Sequence, residues 1–121
     1  SLAEGRGFVM TAGQQTRDFV YITDLVDAMI RASGAQGAAG EVINIGSGNA
    51  VKLLDLVTMV ERIMERQGLV RVGGRDYRPD EIMDYRVDTA KAKSLMGWQA
   101  KTGLEEGVRL TITSFLRREG E

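Results

Sequence analysis

Two arginines in polar, turn-like segments are the residues of this sequence best suited to binding chemistry. Arg17 stands in GQQTRDFVY, before a run of aromatic and β-branched residues, and Arg78 stands in YRPDE, beside the chain's only proline. A guanidinium stays charged, and its planar fork matches two oxygens of a phosphate. Two arginines on separate loops can therefore clamp a diphosphate between them.

The alternative is that both arginines are solvated surface charges. In that case Arg17 pairs with Asp18 or Asp24, and Arg78 pairs with Asp80. Exposed ion pairs of this kind are common and contribute little to stability. The spacing of the charges alone favours this alternative, so the choice depends on other features of the chain.

The carboxylates and tyrosines offer one further binding group but no acid–base pair. Asp88 is explained as the cap of a following helix, whereas Glu81 is left to accept hydrogen bonds from a hydroxyl pair such as that of a ribose. A lysine four residues after a tyrosine, on a helix, would lower the tyrosine's pKa for proton transfer. None of the three tyrosines, Tyr21, Tyr77 and Tyr85, is followed by such a lysine. We therefore predict no catalytic residue in this chain.

The segment Gly46-Ser47-Gly48 lies between a predicted strand and a predicted helix, where phosphate-binding loops are found. A dinucleotide fingerprint needs a third glycine three residues further on, and Val51 occupies that position. The sequence also lacks the Gly-Lys-Ser/Thr of a Walker loop. We interpret the segment as a structural turn and predict that this chain binds no cofactor by itself.

The composition fits one ordinary globular domain and removes several classes of site. The 121 residues include no cysteine and no histidine, which excludes thiolate metal sites and the usual histidine-based catalysts. The net charge of −1 creates no basic field for nucleic acid or an anionic membrane. No apolar run approaches the roughly 18 residues of a membrane span, and no signal peptide stands at residue 1. We expect a cytoplasmic protein with no metal, nucleic-acid or membrane partner.

Hydrophobic periodicity predicts a mixed α/β chain with about four short strands and four to five helices. The strands are predicted at residues 8–10, 18–22, 41–45 and 69–72. The helices are predicted from a cap at Thr23 to Gly34, over residues 52–67, from a cap at Asp88 to Gly97, and from Thr102 onward. The candidate binding residues then lie in the turns and loops that these elements hold in place.

Taken in order, these segments resemble the C-terminal part of the extended short-chain dehydrogenase/reductase enzymes, in the epimerase and 4,6-dehydratase group that acts on nucleotide sugars. The resemblance rests on GQQTRDFVY (13–21), EVINIGSG (41–48), the interval from Arg78 to Asp88, KAK (91–93), GW (97–98) and LEEG (104–107). The implied fold is the C-terminal substrate-binding part of an extended Rossmann-fold enzyme.

The resemblance implies that Arg17 and Arg78 bind the diphosphate of the substrate. It implies that Glu81, three residues after Arg78, holds the ribose. Asp80 departs from the family, where glycine, serine or threonine is usual at this position.

By the same resemblance, Val9 and Met10 line the pocket for the base, and Tyr85 lies near the sugar. Two departures leave the identity of the base open. Met10 stands where an aromatic residue is common, and Thr11 stands where many members have glycine.

The resemblance further implies a parent enzyme that uses NAD or NADP to oxidise the sugar at C4, followed by epimerisation, as in an isomerase, or by loss of water, as in a lyase. The family's cofactor loop and Tyr-x-x-x-Lys pair lie in an N-terminal domain. We therefore expect residues 1–121 to be a single C-terminal substrate-binding region, without turnover of its own, whose partners are a nucleotide-diphosphate sugar and that N-terminal domain. The opening SLAEGRG, which resembles the tail of a helix, agrees with a longer parent protein.

A homodimer is also expected, because separation from the rest of the parent enzyme would expose an apolar face. The residues predicted to form that face are Val20, Ile22, Ile43 and Ile45. The alternative to the whole interpretation is a stand-alone, non-catalytic module that binds a nucleotide or a protein.

Overall fold

The computed structural model describes the backbone of residues 1–119 and the side chains of residues 1–117. Over this range the chain forms four short strands and four helices, which confirms the predicted mixed α/β class. In chain order they are β1 (Phe8–Val9), β2 (Thr16–Asp18), α1 (Ile22–Gly34), β3 (Ala50–Lys52), α2 (Leu53–Ile63), β4 (Val70–Arg71), α3 (Ala90–Met96) and α4 (Leu104–Glu119). None of these helices is both long enough and apolar enough to cross a membrane.

The chain divides into two compact units, and each is assembled from separate stretches. Unit 1 contains residues 1–17, residues 51–85 and the chain from residue 108 onward. Unit 2 contains residues 18–50 and 86–107. That residues 1–121 act as one substrate-binding region stays a prediction.

Unit 1 is built on a strand pair and on helix α2. Strands β1 and β4 are parallel, with Phe8 opposite Val70 and Val9 opposite Arg71. Helix α2 has the apolar stripe that the sequence predicts, because its apolar side chains are half-buried while Asp55, Thr58 and Arg62 between them are exposed. The half-buried residues of this stripe are Leu53, Leu56, Val57, Val60, Ile63 and Met64.

Unit 2 has its core around the chain's single tryptophan. Trp98 is 1% exposed and packs with Ala28 of α1 and with Ala92 and Met96 of α3. Gly97 ends α3 with a left-handed φ of 58°, as the sequence predicts for a glycine after a helix. The indole Nε1 of Trp98 donates a hydrogen bond to the backbone oxygen of Asp24 at 3.1 Å, so its polar atom is satisfied inside the core.

Asp24 brings a carboxylate into the buried part of unit 2. Its Oδ2 accepts hydrogen bonds from the backbone N–H groups of Lys101 at 3.0 Å and Thr102 at 2.8 Å. Burial by itself would raise the pKa of this carboxyl, but the hydrogen bonds from Thr102 and Lys101 outweigh burial and lower the pKa below its ordinary value. Asp24 therefore joins the first turn of α1 to the segment that follows α3.

The structure overturns two predicted strands and shifts the predicted helix starts. The N-cap of α3 is Thr89 rather than Asp88, and α4 begins at Leu104, two residues after Thr102. The strand predicted at residues 18–22 is displaced to Thr16–Asp18, and α1 already begins at Ile22. The cap position of α1 is occupied by Tyr21, not Thr23, without a side-chain hydrogen bond. Residues 41–45 form no strand, although Ile43 and Ile45 are half-buried while Val42 and Asn44 are exposed. A strand needs a neighbour that supplies ladder hydrogen bonds, and a local hydrophobic pattern does not show where that neighbour lies.

Helix α1 presents an apolar face to solvent on the side away from its buried residues. Its exposed apolar side chains are those of Ile22, Val26, Met29 and Ile30, which recur at helical spacing. The apolar face predicted from the sequence is correct only for Ile22. Ile43 and Ile45 pack against the core of unit 2 instead, and Val20 is half-buried.

Candidate functional site

The loop at residues 13–15 supplies the cap of α2. Lys52, the N-cap residue, forms no side-chain hydrogen bond to the helix. Instead, the N–H groups of Leu53 and Leu54 donate to the backbone oxygens of Gln15 at 3.0 Å and Gly13 at 2.9 Å. These bonds satisfy two of the N–H groups that a helix leaves without partners at its start.

Gly13 makes this close approach possible. Its φ is 67°, and a Cβ at this position would lie 2.9 Å from the backbone nitrogen of Leu54. Both the conformation and the contact therefore require glycine. Strand β2 begins directly after this loop, whose backbone is hydrogen-bonded to the start of α2. Arg17 is the second residue of the strand.

Three acceptors hold the guanidinium of Arg17. Its Nη1 donates to the backbone oxygens of Thr16 and Ile82, both at 2.7 Å. Its Nη2 forms an ion pair with the carboxylate of Glu81. The side chains of Arg17 and Glu81 are 32% and 18% exposed, so water screens this pair only in part. One edge of the guanidinium is thus oriented by backbone and the other faces a carboxylate.

Thr16 joins the loop of Arg78 to strand β2. Its N–H donates to the backbone oxygen of Met83 at 2.8 Å. Its hydroxyl donates to Oδ1 of Asp84 at 2.8 Å and accepts the N–H of Tyr85 at 3.2 Å. The loop that contains Arg78 therefore lies beside Arg17, as a diphosphate clamp requires.

The two arginines line one cleft of unit 1, with a volume of about 330 Å³. The residues that line it are Arg17, Arg78, Asp80, Glu81, Ile82 and Tyr85. Four of the six residues nominated from the resemblance meet here. Val9 and Met10 do not line this cleft. Val9 is exposed on β1, and Met10 is buried. The lining carries two positive and two negative side chains.

Asp80 and Ile82 line the cleft although the sequence did not nominate them as binding residues. Asp80 was predicted as an ion-pair partner of Arg78, and its departure from the small residue usual in the family could have identified it as a residue of the cleft. Ile82 accepts a hydrogen bond from Arg17 through its backbone oxygen. Every residue type has this oxygen, so the sequence gives no signal for the role.

The turn at residues 46–48 is held by Asp18, within unit 2. Its Oδ1 accepts the N–H of Ser47 at 2.8 Å and the hydroxyl of Ser47 at 2.6 Å, and its Oδ2 accepts the N–H of Gly48 at 2.9 Å. The N–H groups that could hold a phosphate are therefore already bonded to a carboxylate. This agrees with the interpretation of the segment as a structural turn.

The alternative pairing of Arg17 with Asp18 or Asp24 is wrong. Asp18 accepts the hydrogen bonds of the turn at residues 46–48, and Asp24 accepts those of the segment after α3. The ion pair of Arg17 is formed with Glu81 instead.

Comparison with known proteins finds relatives along most of the chain. The family model described as GDP-mannose 4,6 dehydratase matches residues 2–111. A UDP-glucose 4-epimerase of Mycolicibacterium smegmatis is 32% identical over 109 residues, which cover 85% of this chain and 32% of that protein. The chain thus spans about a third of the length of the curated relatives that it matches.

Solved structures show the same fold. UDP-glucose 4-epimerase of Thermotoga maritima, solved with UDP-glucose, matches with a TM-score of 0.86 and 29% identity, over 98% of this chain and 37% of that one. UDP-glucuronic acid 4-epimerase of Bacillus cereus, solved with UDP-glucuronic acid and NAD, matches with a TM-score of 0.79 and 28% identity, over 88% of this chain and 34% of that one. These likenesses confirm the fold class and the resemblance inferred from the sequence.

Proposed function

Because the chain belongs to the GDP-mannose 4,6 dehydratase family, we propose that it is the C-terminal substrate-binding part of an NAD(P)-dependent nucleotide-sugar epimerase or dehydratase. One observation carries this proposal: Arg17 and Arg78, from separate segments, line the same cleft. A diphosphate carries its charge on oxygens that suit the guanidinium fork, and two guanidinium groups can share it.

The proposed complex assigns a part of the substrate to each residue of the cleft. Arg17 and Arg78 bind the diphosphate, Glu81 accepts a ribose hydroxyl, and Tyr85 lies near the sugar. For the base we propose a pocket near Val9 and Met10, where Val9 is the accessible member because Met10 is buried. The chain then supplies binding energy at a distance from the reacting carbon, where it can offset the cost of orienting the sugar.

We propose that the NAD or NADP of the parent enzyme is held by a part of the protein outside these 121 residues. The turn at residues 46–48 does not fit a cofactor phosphate, because Asp18 occupies the N–H groups of Ser47 and Gly48. This chain on its own is then expected to have no turnover. The cytoplasmic location stays a prediction.

The apolar face of α1 supports a further protein partner. We propose that it is covered in the intact protein by the part of that protein outside this chain, since the curated relatives are about three times as long. A homodimer stays a prediction, and it is the arrangement that we expect when the 121 residues are produced alone. Sedimentation of the isolated chain as a monomer at high concentration would contradict that arrangement.

The direct test of the proposal replaces Arg17 by alanine in the full-length protein. A charge-assisted hydrogen bond contributes about 1.5–3 kcal/mol, so we expect nucleotide-sugar binding to weaken at least roughly tenfold in a calorimetric titration. Arg75→Ala is the matched control, because Arg75 is an exposed arginine of the same unit that does not line the cleft. Equal affinities for Arg17→Ala, Arg75→Ala and the unaltered protein would refute the clamp.

The nucleotide and the sugar are identified by a second measurement on the same protein. A thermal-shift panel of UDP-, GDP-, CDP- and dTDP-sugars ranks the bases, because a ligand that binds the folded state raises the unfolding temperature. The preferred compound is then the ligand for the titrations of the variants.

A further inference from the structure

Glu81 holds the edge of Arg17 that a phosphate would need. The Nη1 of Arg17 is bonded to two backbone oxygens, so this nitrogen is fixed by the fold. Its Nη2 is bonded to the carboxylate of Glu81, which is a side chain and can rotate away. A bound diphosphate and Glu81 therefore compete for one nitrogen of a guanidinium that itself stays in place.

We propose that Glu81 is an exchangeable counter-ion that makes this cleft select nucleoside diphosphates over diphosphates without a nucleoside. The phosphate takes the Nη2 of Arg17, and the displaced carboxylate then accepts a ribose hydroxyl. This inference rests on the proposed function, and it adds a reason for selectivity that a clamp of two arginines does not provide.

The charges of the cleft support the exchange. Arg17 and Arg78 are balanced by Asp80 and Glu81 among the residues that line it. A diphosphate that entered with both carboxylates in place would meet a neutral lining and would place its oxygens beside like charge. Displacing Glu81 removes the nearest carboxylate from Arg17.

The energetic consequence differs between two kinds of ligand. Any diphosphate has to break the ion pair between Arg17 and Glu81, whose carboxylate is 18% exposed and loses a close partner. Only a ligand with a ribose returns a hydrogen-bond donor to that carboxylate. Inorganic pyrophosphate should therefore bind weakly, although it offers the same diphosphate group.

The test compares Glu81→Gln with Asp80→Asn in the full-length protein. Both variants remove one negative charge from the lining of the cleft, but only Glu81 is bonded to Arg17. The affinities of a nucleoside diphosphate and of inorganic pyrophosphate are measured by calorimetry, directly or by displacement. Uridine diphosphate is the nucleoside diphosphate unless the thermal-shift panel ranks another base first, which then replaces it. The decisive quantity is the ratio of the pyrophosphate Kd to the uridine diphosphate Kd.

We expect Glu81→Gln to bind pyrophosphate roughly fivefold more tightly, because its competitor on Arg17 is gone. Uridine diphosphate should not gain in the same way, because its ribose loses a charged acceptor. The Kd ratio therefore falls at least about fivefold in Glu81→Gln and stays within about twofold in Asp80→Asn, where a general charge effect acts on both ligands alike.

The outcomes separate the exchange from the proposed function. An unchanged ratio in Glu81→Gln, or the same change in Asp80→Asn, overturns the exchange while the diphosphate clamp stands. If the unaltered protein binds neither pyrophosphate nor any of the four nucleoside diphosphates of the panel, both the clamp and the exchange fail. Should Glu81→Gln not fold, Glu81→Asp replaces it, because its side chain is one methylene shorter and reaches Arg17 less well; its Kd ratio should fall in the same direction.

Discussion

Replacing Asp24 by asparagine should destabilise unit 2 in a way that depends on pH. The carboxylate accepts two backbone hydrogen bonds, from Lys101 at 3.0 Å and from Thr102 at 2.8 Å, in a buried position. Asparagine keeps an oxygen that can accept both bonds but loses the charge that strengthens them. The variant therefore tests how much of the stability depends on the charge.

The magnitude follows from the number of bonds. A charge-assisted hydrogen bond is roughly twice as strong as a neutral one, and a neutral one contributes about 1 kcal/mol. Two bonds would lose about 2 kcal/mol, and a neutral amide recovers part of this because its burial costs less. We expect Asp24→Asn to lower the free energy of unfolding by about 1–2 kcal/mol at pH 7.

The sign of the pH dependence follows from the lowered pKa. Because the folded state holds the Asp24 carboxyl at a pKa below its ordinary value, the folded protein binds fewer protons than the unfolded chain there. The contribution of Asp24 is fully present above the unfolded pKa of about 3.9. It is lost as the pH falls below that value and through the folded pKa. The difference between the two proteins should therefore shrink at pH values below about 4.

The assay is urea denaturation followed by the emission of Trp98, the chain's single tryptophan, which is buried in unit 2. Asp27→Asn is the matched control, since it removes the same charge from the same helix. The ion pair of Asp27 with Arg31 is half exposed, so we expect an effect below about 0.5 kcal/mol. A loss in Asp24→Asn that is constant from pH 7 to pH 3, or no larger than in Asp27→Asn, would refute the reasoning.

Two further predictions concern backbone conformation and an exposed charge. Gly13 and Gly97 both have left-handed φ, but a Cβ at Gly13 would lie 2.9 Å from a backbone nitrogen whereas at Gly97 it would meet nothing within 4 Å. Alanine should therefore cost about 1–2 kcal/mol at Gly97 and more at Gly13, and equal losses in urea denaturation would contradict this. Lys91→Ala should raise the pKa of Glu41, because the hydrogen bond and the charge of Lys91 lower it. An NMR titration that gives the same Glu41 pKa in the variant and in the unaltered protein would contradict this.

The helices were the part of the fold that the sequence predicted best. In α2 the apolar residues recur at the helical period, and the same residues are half-buried in the structure. The end of α3 at Gly97 was predictable because a left-handed residue after a helix favours glycine. Helices depend on neighbours in sequence, so local patterns are informative about them.

The strands were harder to predict because they depend on partners elsewhere in the chain. At residues 41–45 the apolar pattern predicted a strand, but no ladder forms there; Ile43 and Ile45 pack against the core of unit 2, and Val42 is 81% exposed. Strand β3 at Ala50–Lys52 was not predicted at all. Its composition is not typical of a strand, and it forms because β2 supplies a partner.

In the candidate site, Arg17, Arg78 and Glu81 could be predicted from the sequence because they lie in segments that resemble the family. The hydrogen bonds and the ion pair that hold Arg17 could not be predicted. The ion pair between Arg17 and Glu81 depends on the loop that Thr16 holds in place, and the support of Arg17 by Ile82 involves only backbone. A sequence pattern gives only the types of the side chains, so it does not predict ion pairs between distant residues or hydrogen bonds to backbone oxygens.

The division of the chain into two units has a consequence for protein synthesis. The polypeptide passes from one unit to the other between residues 17 and 18, 50 and 51, 85 and 86, and 107 and 108. Unit 2 is therefore incomplete until residue 107 has left the ribosome, and unit 1 still lacks the part of α4 from residue 108 onward at that moment. A nascent chain shortened anywhere before α4 should expose unfinished surfaces of both units, so that neither unit is expected to fold before α4 has been synthesised.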